Sequence, residues 1–395
     1  MRIRLLERII VKAASRLLPT SFKGKLDLTL PSGRTLTIGG ATPGETADLT
    51  LKNFKVIWAG IRRAQLGFFE RYLAGDVESK NPTAFFRFYL QNRSGLDNAA
   101  TFFFPSFIDM IWHKKRDNNR DGSKENISSH YDLGNAFYKL WLDDTMSYSS
   151  AVFDERTNSL EAAQTLKYQR VMDMAEIKSG SSVLEIGCGW GGFAEEAIKA
   201  GATVRGITLS KEQLAFAKDR LENQGLGNKA ELVFEDYRDT KGTFDAIASI
   251  EMIEAVGEPH WPEYFKTLYQ RLKPGGAAAV QGITIREDNF DAYQSGVDFI
   301  QRYVFPGGML LTKDIMREQS QKAGLLLEKM ECFGLSYAET LKQWRLRFEA
   351  AWPKIKPLGF DERFKKLWTL YLCYCEAGFA EGIIDVGIYK IRKPA

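Results

Sequence analysis

Histidine and cysteine are scarce in this chain of 395 residues, which contains three of the former and four of the latter. The cysteines (Cys188, Cys332, Cys373 and Cys375) lack the spacing of metal ligands, and the histidines lie far from them in sequence. Cys373 and Cys375 fall in an aromatic stretch with a helical pattern, which favours buried thiols over a redox pair. The sequence therefore predicts no metal site and a reducing, cytoplasmic location.

Long apolar runs are also missing. No segment approaches the roughly 18 to 20 apolar residues that a membrane-spanning helix needs. The N-terminus mixes basic side chains among its apolar ones and lacks the uninterrupted apolar centre of a secretory signal. The length and the ordinary composition predict a globular protein with two domains.

Positive charge is concentrated at the N-terminal end. Residues 1–125 contain 21 Lys and Arg against 12 Asp and Glu, whereas the remainder contains 33 against 38. Residues 3–17 predict a helix with one apolar and one basic face, which suits a phospholipid interface; a surface helix packed on its own domain gives the same pattern. The polar stretch 113–125 predicts a linker, so we expect a basic, lipid-associating domain over 1–120 and a second domain over 121–395.

The two predicted domains differ in their secondary-structure pattern. Leu26–Leu30 and Thr35–Ile38, joined by a Pro-Ser-Gly turn, predict a hairpin followed by helices, hence a small α+β domain. Beyond residue 165, strands alternate with helices, which predicts an α/β domain with a parallel sheet and helices on both faces. The strands of that sheet are predicted at Val183–Ile186, Thr203–Thr208, Glu231–Glu235, Phe244–Ser249 and Ala277–Ile283.

The segment Val183–Gly192 is a hydrophobic strand that runs into closely spaced glycines and then a helix. Gly187 and Gly189 let the backbone turn sharply and approach a ligand, and Glu185 places an acid near the strand end. The spacing differs from the dinucleotide pattern with its pyrophosphate site. It favours S-adenosylmethionine as the cofactor.

Polar residues follow the next two strands, at the sheet edge where ligands bind. Thr208 and Gln213 offer neutral hydrogen bonds, and Asp236 can reach an adenine amino group. Tyr237 can stack on the adenine ring. Ser210 or Asp236 alternatively serves only as a helix cap.

Two acids, Glu251 and Glu254, follow the fourth strand of the predicted parallel sheet. If this segment is helical, one turn separates them and both face the same cleft. Acids in such a cleft act as general bases or stabilise cationic intermediates. A pair of solvated surface acids is the alternative.

These motifs recur in a fixed order along the chain: His130–Asn135, Met146–Ser150, Leu184–Gly192, Gly206–Ser210, Glu251–Gly257, Asp298–Gly308 and Tyr374–Phe379. In that order the chain resembles the cyclopropane-fatty-acyl-phospholipid synthase and mycolic-acid cyclopropane synthase family. The resemblance covers residues 125–395 and implies a Rossmann-like class I methyltransferase fold. The N-terminal part resembles, more weakly, the extra domain of the phospholipid-acting members.

The resemblance also implies residue roles. Tyr148 and Ser149 match the pair that closes over the cofactor. The family's other cofactor contacts fall on Gly187, Gly189, Thr208 and Gln213. Near the acceptor it implies a bicarbonate ion, with two of its usual holders matched by Glu254 and Tyr337. The family's cysteine and histidine holders are replaced by Ser150 and Gln281, which leaves bicarbonate binding and ring closure open.

The resemblance implies methyl transfer from S-adenosylmethionine to the double bond of unsaturated acyl chains in membrane phospholipids, at the inner face of the membrane. The product is a cyclopropane or, without ring closure, a methyl- or methylene-branched chain. Homo-oligomers remain open. Alternatives from other classes are a non-enzymatic cofactor-binding partner subunit and an RNA or small-molecule methyltransferase. The absence of an aromatic RNA-binding motif argues against nucleic acid.

Overall fold

A computed structural model describes residues 7–12, 21–94, 96, 118 and 133–395. Residues 7–12 are helical, and the Glu7 carboxylate accepts hydrogen bonds from the backbone N–H (2.9 Å) and hydroxyl (2.7 Å) of Ser32. The rest of the predicted helix over 3–17 lies outside the described residues. So do the predicted linker, apart from Asn118, and the His130 end of the first motif.

The N-terminal part contains a four-stranded sheet. Its strands are β1 (Lys23–Thr29), β2 (Thr35–Gly39), β3 (Thr42–Leu51) and β4 (Val77–Glu78), in the order β2-β1-β3-β4. The antiparallel pairing of β1 with β2 confirms the predicted hairpin. Helices α1 (Lys55–Leu73) and α2 (Pro82–Gln91) complete this α+β unit. Asn81 caps α2 by accepting a hydrogen bond from the backbone N–H of Ala84.

The second sheet has seven strands in the order β10-β11-β9-β8-β5-β6-β7. They are β5 (Ser182–Ile186), β6 (Thr203–Thr208), β7 (Ala230–Phe234), β8 (Phe244–Ile250), β9 (Leu272–Ile285), β10 (Leu326–Cys332) and β11 (Ile384–Arg392). Strand β11 pairs antiparallel with both neighbours, and the other described pairs are parallel. This confirms the predicted α/β fold and adds β10 and β11, which the sequence did not predict.

Helices cover both faces of this sheet. They are α3 (Asn135–Tyr138), α4 (Leu160–Met174), α5 (Gly192–Lys199), α6 (Lys211–Asn223), α7 (Trp261–Arg271), α8 (Glu287–Gln294), α9 (Phe299–Tyr303), α10 (Lys313–Lys322), α11 (Gly334–Ile355) and α12 (Glu362–Ala380). The apolar sides of α4, α5 and α6 form one buried cluster with the strands. Those of α7 and α10 form another. None of the described helices is long and apolar enough to cross a membrane.

The N-terminal helices pack against α9 and α12. Phe69 stacks on Phe299 with ring centroids 4.1 Å apart, and the Arg87 guanidinium donates to the Glu381 carboxylate at 2.7 Å. Thr83 donates to Glu376 at 3.1 Å in the same interface. Because these contacts bring both parts of the chain together, residues of both parts can line one site.

Candidate active site

The glycine turn joins β5 to α5. Gly187 and Gly189 have φ of 83° and 50°, in the left-handed region that favours glycine. A Cβ at Gly187 would lie 3.0 Å from the Met252 side chain, whereas one at Gly189 would meet no atom within 4 Å. Beside the turn, Glu185 is buried, and burial raises its pKa to about 8. Its Oε2 has no hydrogen-bond partner in the described part of the chain. The turn thus combines exposed backbone with an unsatisfied acid.

The neighbouring strand ends carry the other predicted cofactor residues. Thr208 donates to the Gln213 side chain at 3.3 Å, and Ser210 caps α6 by accepting from the Gln213 backbone N–H. The Asp236 carboxylate accepts from the Arg238 backbone N–H at 3.0 Å through one oxygen. Its other oxygen is buried without a partner among the described residues, as is the Tyr237 hydroxyl. The capping alternative therefore holds for Ser210, while Asp236 keeps an acceptor for a ligand.

Three residues that are distant from it in sequence converge on the Glu251 carboxylate. It accepts hydrogen bonds from the Ser150 backbone N–H (2.7 Å), the Gln281 amide (2.8 Å) and the Tyr337 hydroxyl (2.7 Å). The backbone of Glu251 has φ of 49°, an unfavourable conformation for a residue with a side chain. Such strain at a buried acid is typical of functional sites.

Glu254 lies on the short 3-10 helix Ile253–Ala255 and holds a different position. One carboxyl oxygen accepts from the Ile283 backbone N–H at 2.5 Å, and the other is buried without a partner in the described ranges. Burial and the neighbouring Glu251 charge raise the pKa of Glu254 to about 8. Burial raises the pKa of Glu251 as well, but its three hydrogen-bond donors and the Lys167 charge act to lower it. Because Glu254 has less support of this kind, we assign the negative charge of the pair to Glu251 and the proton to Glu254.

Both acids line a cavity of about 380 Å³. Its walls are largely apolar and aromatic, and they include Tyr148, Phe305, Tyr371 and Phe379. Phe86, Tyr89, Leu90 and Arg93 contribute from the N-terminal unit. An apolar ligand in this cavity would therefore contact both parts of the chain and both acids.

The two residues of the predicted Tyr-Ser pair contact different parts of the site. The Tyr148 hydroxyl lies 3.0 Å from that of Tyr371 on the cavity wall. Ser149 is buried and accepts a hydrogen bond from the Lys167 ammonium at 2.7 Å. Burial lowers the pKa of Lys167 to about 8, while the charges of Glu251, Asp143 and Glu185 act in the opposite direction. Lys167 therefore links the acceptor side of the site to the cofactor side.

Comparison with known proteins identifies this arrangement. A family model described as mycolic acid cyclopropane synthetase matches residues 118–389, more than half of the chain. The chain belongs to this family. It is 39% identical to a tuberculostearic acid methyltransferase of Mycobacterium tuberculosis, over 82% of this chain and 78% of the relative. It is 34% identical to the cyclopropane-fatty-acyl-phospholipid synthase of Escherichia coli, over 87% of this chain and 86% of the relative.

Solved structures of the family agree. The cyclopropane synthase MmaA2 from Mycobacterium tuberculosis matches with a TM-score of 0.64 at 28% identity, over 68% of this chain and 98% of that one. A mycolic acid cyclopropane synthase in complex with SAH and CTAB gives 0.64 at 26%, over the same shares. The predicted family is confirmed, and the chain is an S-adenosylmethionine-dependent methyltransferase.

The strand ends fit that cofactor. A cationic, nucleoside-containing ligand requires close backbone approach, an acid and a polar acceptor for the base. Gly189 leaves room for close backbone approach. The unpaired Glu185 oxygen supplies the acid, and the unpaired Asp236 oxygen supplies the acceptor for the base. The individual assignments, including those of Tyr148, Ser149, Thr208, Gln213 and Tyr237, stay predictions.

The residues implied for bicarbonate do not fit an additional anion. The Ser150, Gln281 and Tyr337 donors already serve the Glu251 carboxylate, which has the shape and charge of a bicarbonate. The structure therefore brings together only part of the predicted bicarbonate site. Ser150, Gln281 and Tyr337 converge on Glu251, whereas Glu254 contacts the Ile283 backbone instead.

Lys167 was missed by sequence reasoning. It follows Ala163 by four residues on a helix whose apolar face is buried, so a lysine there must find a buried partner. A charged residue on the apolar face of a predicted helix was therefore the sequence signal that could have identified Lys167.

Burial of Glu254 predicts a pH-dependent stability. Its folded pKa lies above the unfolded value, so the folded state retains a proton that the unfolded state has lost between about pH 4.5 and 8. Stability from this group is present at low pH and is lost as pH rises through that interval. We expect Glu254→Gln to raise the melting temperature at pH 9 by about 3 °C or more, with little change at pH 5.

The exposed acid Glu155 provides the matched control. Glu155→Gln should leave the difference between melting temperatures at pH 5 and pH 9 as in the unmodified protein. Equal melting temperatures for Glu254→Gln and the unmodified chain at pH 9 would contradict the burial argument.

Proposed function

We propose that the chain transfers a methyl group from S-adenosylmethionine to the carbon–carbon double bond of an unsaturated acyl chain in a membrane phospholipid. The cavity supports this, because its walls are largely apolar while two acids, Glu251 and Glu254, lie among the lining residues. Relatives named as fatty acid and fatty-acyl-phospholipid enzymes support it as well.

An alkene makes a specific demand on the site. When bound, S-adenosylmethionine would supply an electrophilic methyl group. The alkene π electrons would form the bond to that methyl, the C–S bond electrons would return to sulfur, and the other alkene carbon would become cationic. The protein must then stabilise a cation in an apolar cavity and accept a proton from it. Glu251 meets both requirements, because its carboxylate carries negative charge on the cavity wall.

The observation that carries this mechanism is the convergence of three donors on Glu251. They hold the carboxylate in one orientation, so no reorganisation is needed as the cation forms. We propose that Glu251 is the general base. The C–H electron pair of the lost proton becomes the π bond of a methylene branch or, on ring closure, the third carbon–carbon bond of a cyclopropane, and Glu251 becomes a neutral acid. Because Glu254 is neutral, it places no second negative charge beside the Glu251 carboxylate.

We propose a ring-open product. The family resemblance links ring closure to a bicarbonate ion that is held by residues equivalent to Ser150, Gln281 and Tyr337. In this chain the Glu251 side chain takes the place of that ion. A hydride shift onto the cationic carbon moves the charge to the methylated carbon, and loss of a methyl proton to Glu251 then leaves a methylene branch. Direct loss of that proton with closure of a third bond gives a cyclopropane, which the 34% identical Escherichia coli relative favours as the second candidate.

The remaining expectations belong to the same proposal. We propose that the basic part over 1–120 associates with lipid and that 121–395 carries the transfer. The enzyme then works on the cytoplasmic side, peripheral to the membrane, as a monomer or a homo-oligomer. The charge excess in residues 1–125 supports this arrangement.

Product analysis on one defined monounsaturated phospholipid tests the proposed function. We expect the acyl chain to gain the mass of one methylene and its proton NMR spectrum to show the =CH₂ protons of a methylene branch. Upfield ring protons instead would establish the cyclopropane product. No mass gain on any of several unsaturated phospholipids would overturn lipid methylation and favour a partner subunit or another acceptor. Transfer of the methyl group to RNA would overturn it as well.

A further inference from the structure

One face of helix α1 is exposed although it carries large apolar side chains. Lys55, Trp58, Ile61, Arg62 and Gln65 share this face at helical spacing, and we call it the α1 face. Trp58 is 66% exposed and Ile61 is 44% exposed. Side chains of this size are normally buried, so their joint exposure on one face indicates an interaction surface.

The α1 face leads directly to the cavity. Gln65 lines the cavity and donates a hydrogen bond to the Tyr374 hydroxyl at 3.0 Å. Beyond this point the helix is covered, because Leu66 and Phe69 are buried. The α1 face is thus continuous, through Gln65, with the wall of the cavity.

Basic residues complete the α1 face. Lys55 and Arg62 are exposed, and neither forms an ion pair with any residue of the described chain. An exposed tryptophan flanked by exposed cations is the composition that binds anionic headgroups while the aromatic ring enters the acyl boundary. A protein partner would require complementary shape, for which this convex helix face offers no groove.

We infer that the α1 face docks on an anionic phospholipid bilayer and places the cavity entrance against the acyl region. This inference rests on the proposed function for its substrate, and it adds the surface through which that substrate arrives. The acyl chain then moves from the bilayer past Gln65 into the cavity without crossing water.

Vesicle flotation with the full chain tests the docking separately from catalysis. With vesicles of phosphatidylglycerol and phosphatidylcholine, we expect Trp58→Ser combined with Ile61→Ser to weaken binding at least about tenfold. Arg62→Glu should weaken it about fivefold and reduce its salt dependence. Leu346→Ser, at a residue 51% exposed on α11, and Lys241→Glu, at an exposed loop, are the matched controls and should bind normally.

Turnover then links docking to delivery. We expect the Trp58→Ser, Ile61→Ser variant to lose turnover on vesicles about tenfold and to retain it on the same phospholipid dispersed in detergent micelles. Vesicle binding equal to that of the unmodified chain would overturn the inference. So would an equal loss of turnover in micelles, or a change only in self-association measured by sedimentation, which would identify a second copy as the occupant. If the unmodified chain binds vesicles but methylates nothing, the proposed function fails while the docking surface stands.

Discussion

Replacement of Glu251 by glutamine is expected to lower turnover about 1,000-fold while cofactor binding persists. The amide preserves the shape of the side chain but cannot accept a proton, and general bases contribute roughly 10² to 10⁴ in rate. Its amide oxygen can still accept from Ser150 and Gln281, but its NH₂ group then faces the Tyr337 hydroxyl, which loses its acceptor. Single-turnover product formation at saturating phospholipid measures the loss, and calorimetric titration measures cofactor affinity.

The neighbouring acid supplies the control for this prediction. Glu254 carries a proton at neutral pH, so Glu254→Gln replaces one neutral group by another and should reduce turnover no more than about tenfold. A large loss in Glu254→Gln with near-normal turnover in Glu251→Gln would reverse the assignment and make Glu254 the base.

Replacement of Glu185 by glutamine should weaken S-adenosylmethionine binding about 100-fold. Glu185 is buried with one unpaired oxygen beside the glycine turn, and the cofactor is positively charged. A buried carboxylate that meets a cation contributes roughly 2 to 5 kcal/mol to binding. The neutral analogue methylthioadenosine serves as the control, because it lacks the charge and should bind both proteins with similar affinity.

Glu185→Gln should at the same time stabilise the cofactor-free protein at alkaline pH. Its pKa of about 8 means that the folded chain is penalised as pH rises from about 4.5 to 8, and the amide removes that penalty. Weaker binding together with a higher melting temperature at pH 9 separates a ligand contact from a structural defect. Unchanged affinity for S-adenosylmethionine would contradict the cofactor assignment.

Local features of the site were predictable from the sequence. The strand, the glycine turn and the helix around Gly187 depend on neighbouring residues, so their pattern indicated both the fold and the cofactor. The hairpin of β1 and β2 follows from its turn residues in the same way. Strand β10 escaped prediction because it is an edge strand rich in charged, exposed residues rather than an apolar run.

The centre of the site was not predictable in the same way. Ser150 and Tyr337 lie about a hundred residues from Glu251 in sequence, on either side of it. Only the tertiary fold brings the loop of Ser150 and helix α11 with Tyr337 to its carboxylate. The sequence placed Glu251 and Glu254 in one cleft, but it could not show which acid receives the donors. That choice depends on the left-handed backbone of Glu251 and on the position of Gln281 in the middle of the sheet.

Chemical rescue tests the central claim most directly. Glu251→Ala leaves the three donors around a space that fits a small carboxylate, so bicarbonate or formate can take the place of the missing side chain. We expect the unmodified enzyme to turn over equally with and without bicarbonate. Glu251→Ala should be inactive in bicarbonate-free buffer and regain turnover when bicarbonate is added. Dependence of the unmodified enzyme on bicarbonate, or normal turnover of Glu251→Ala without it, would contradict the account.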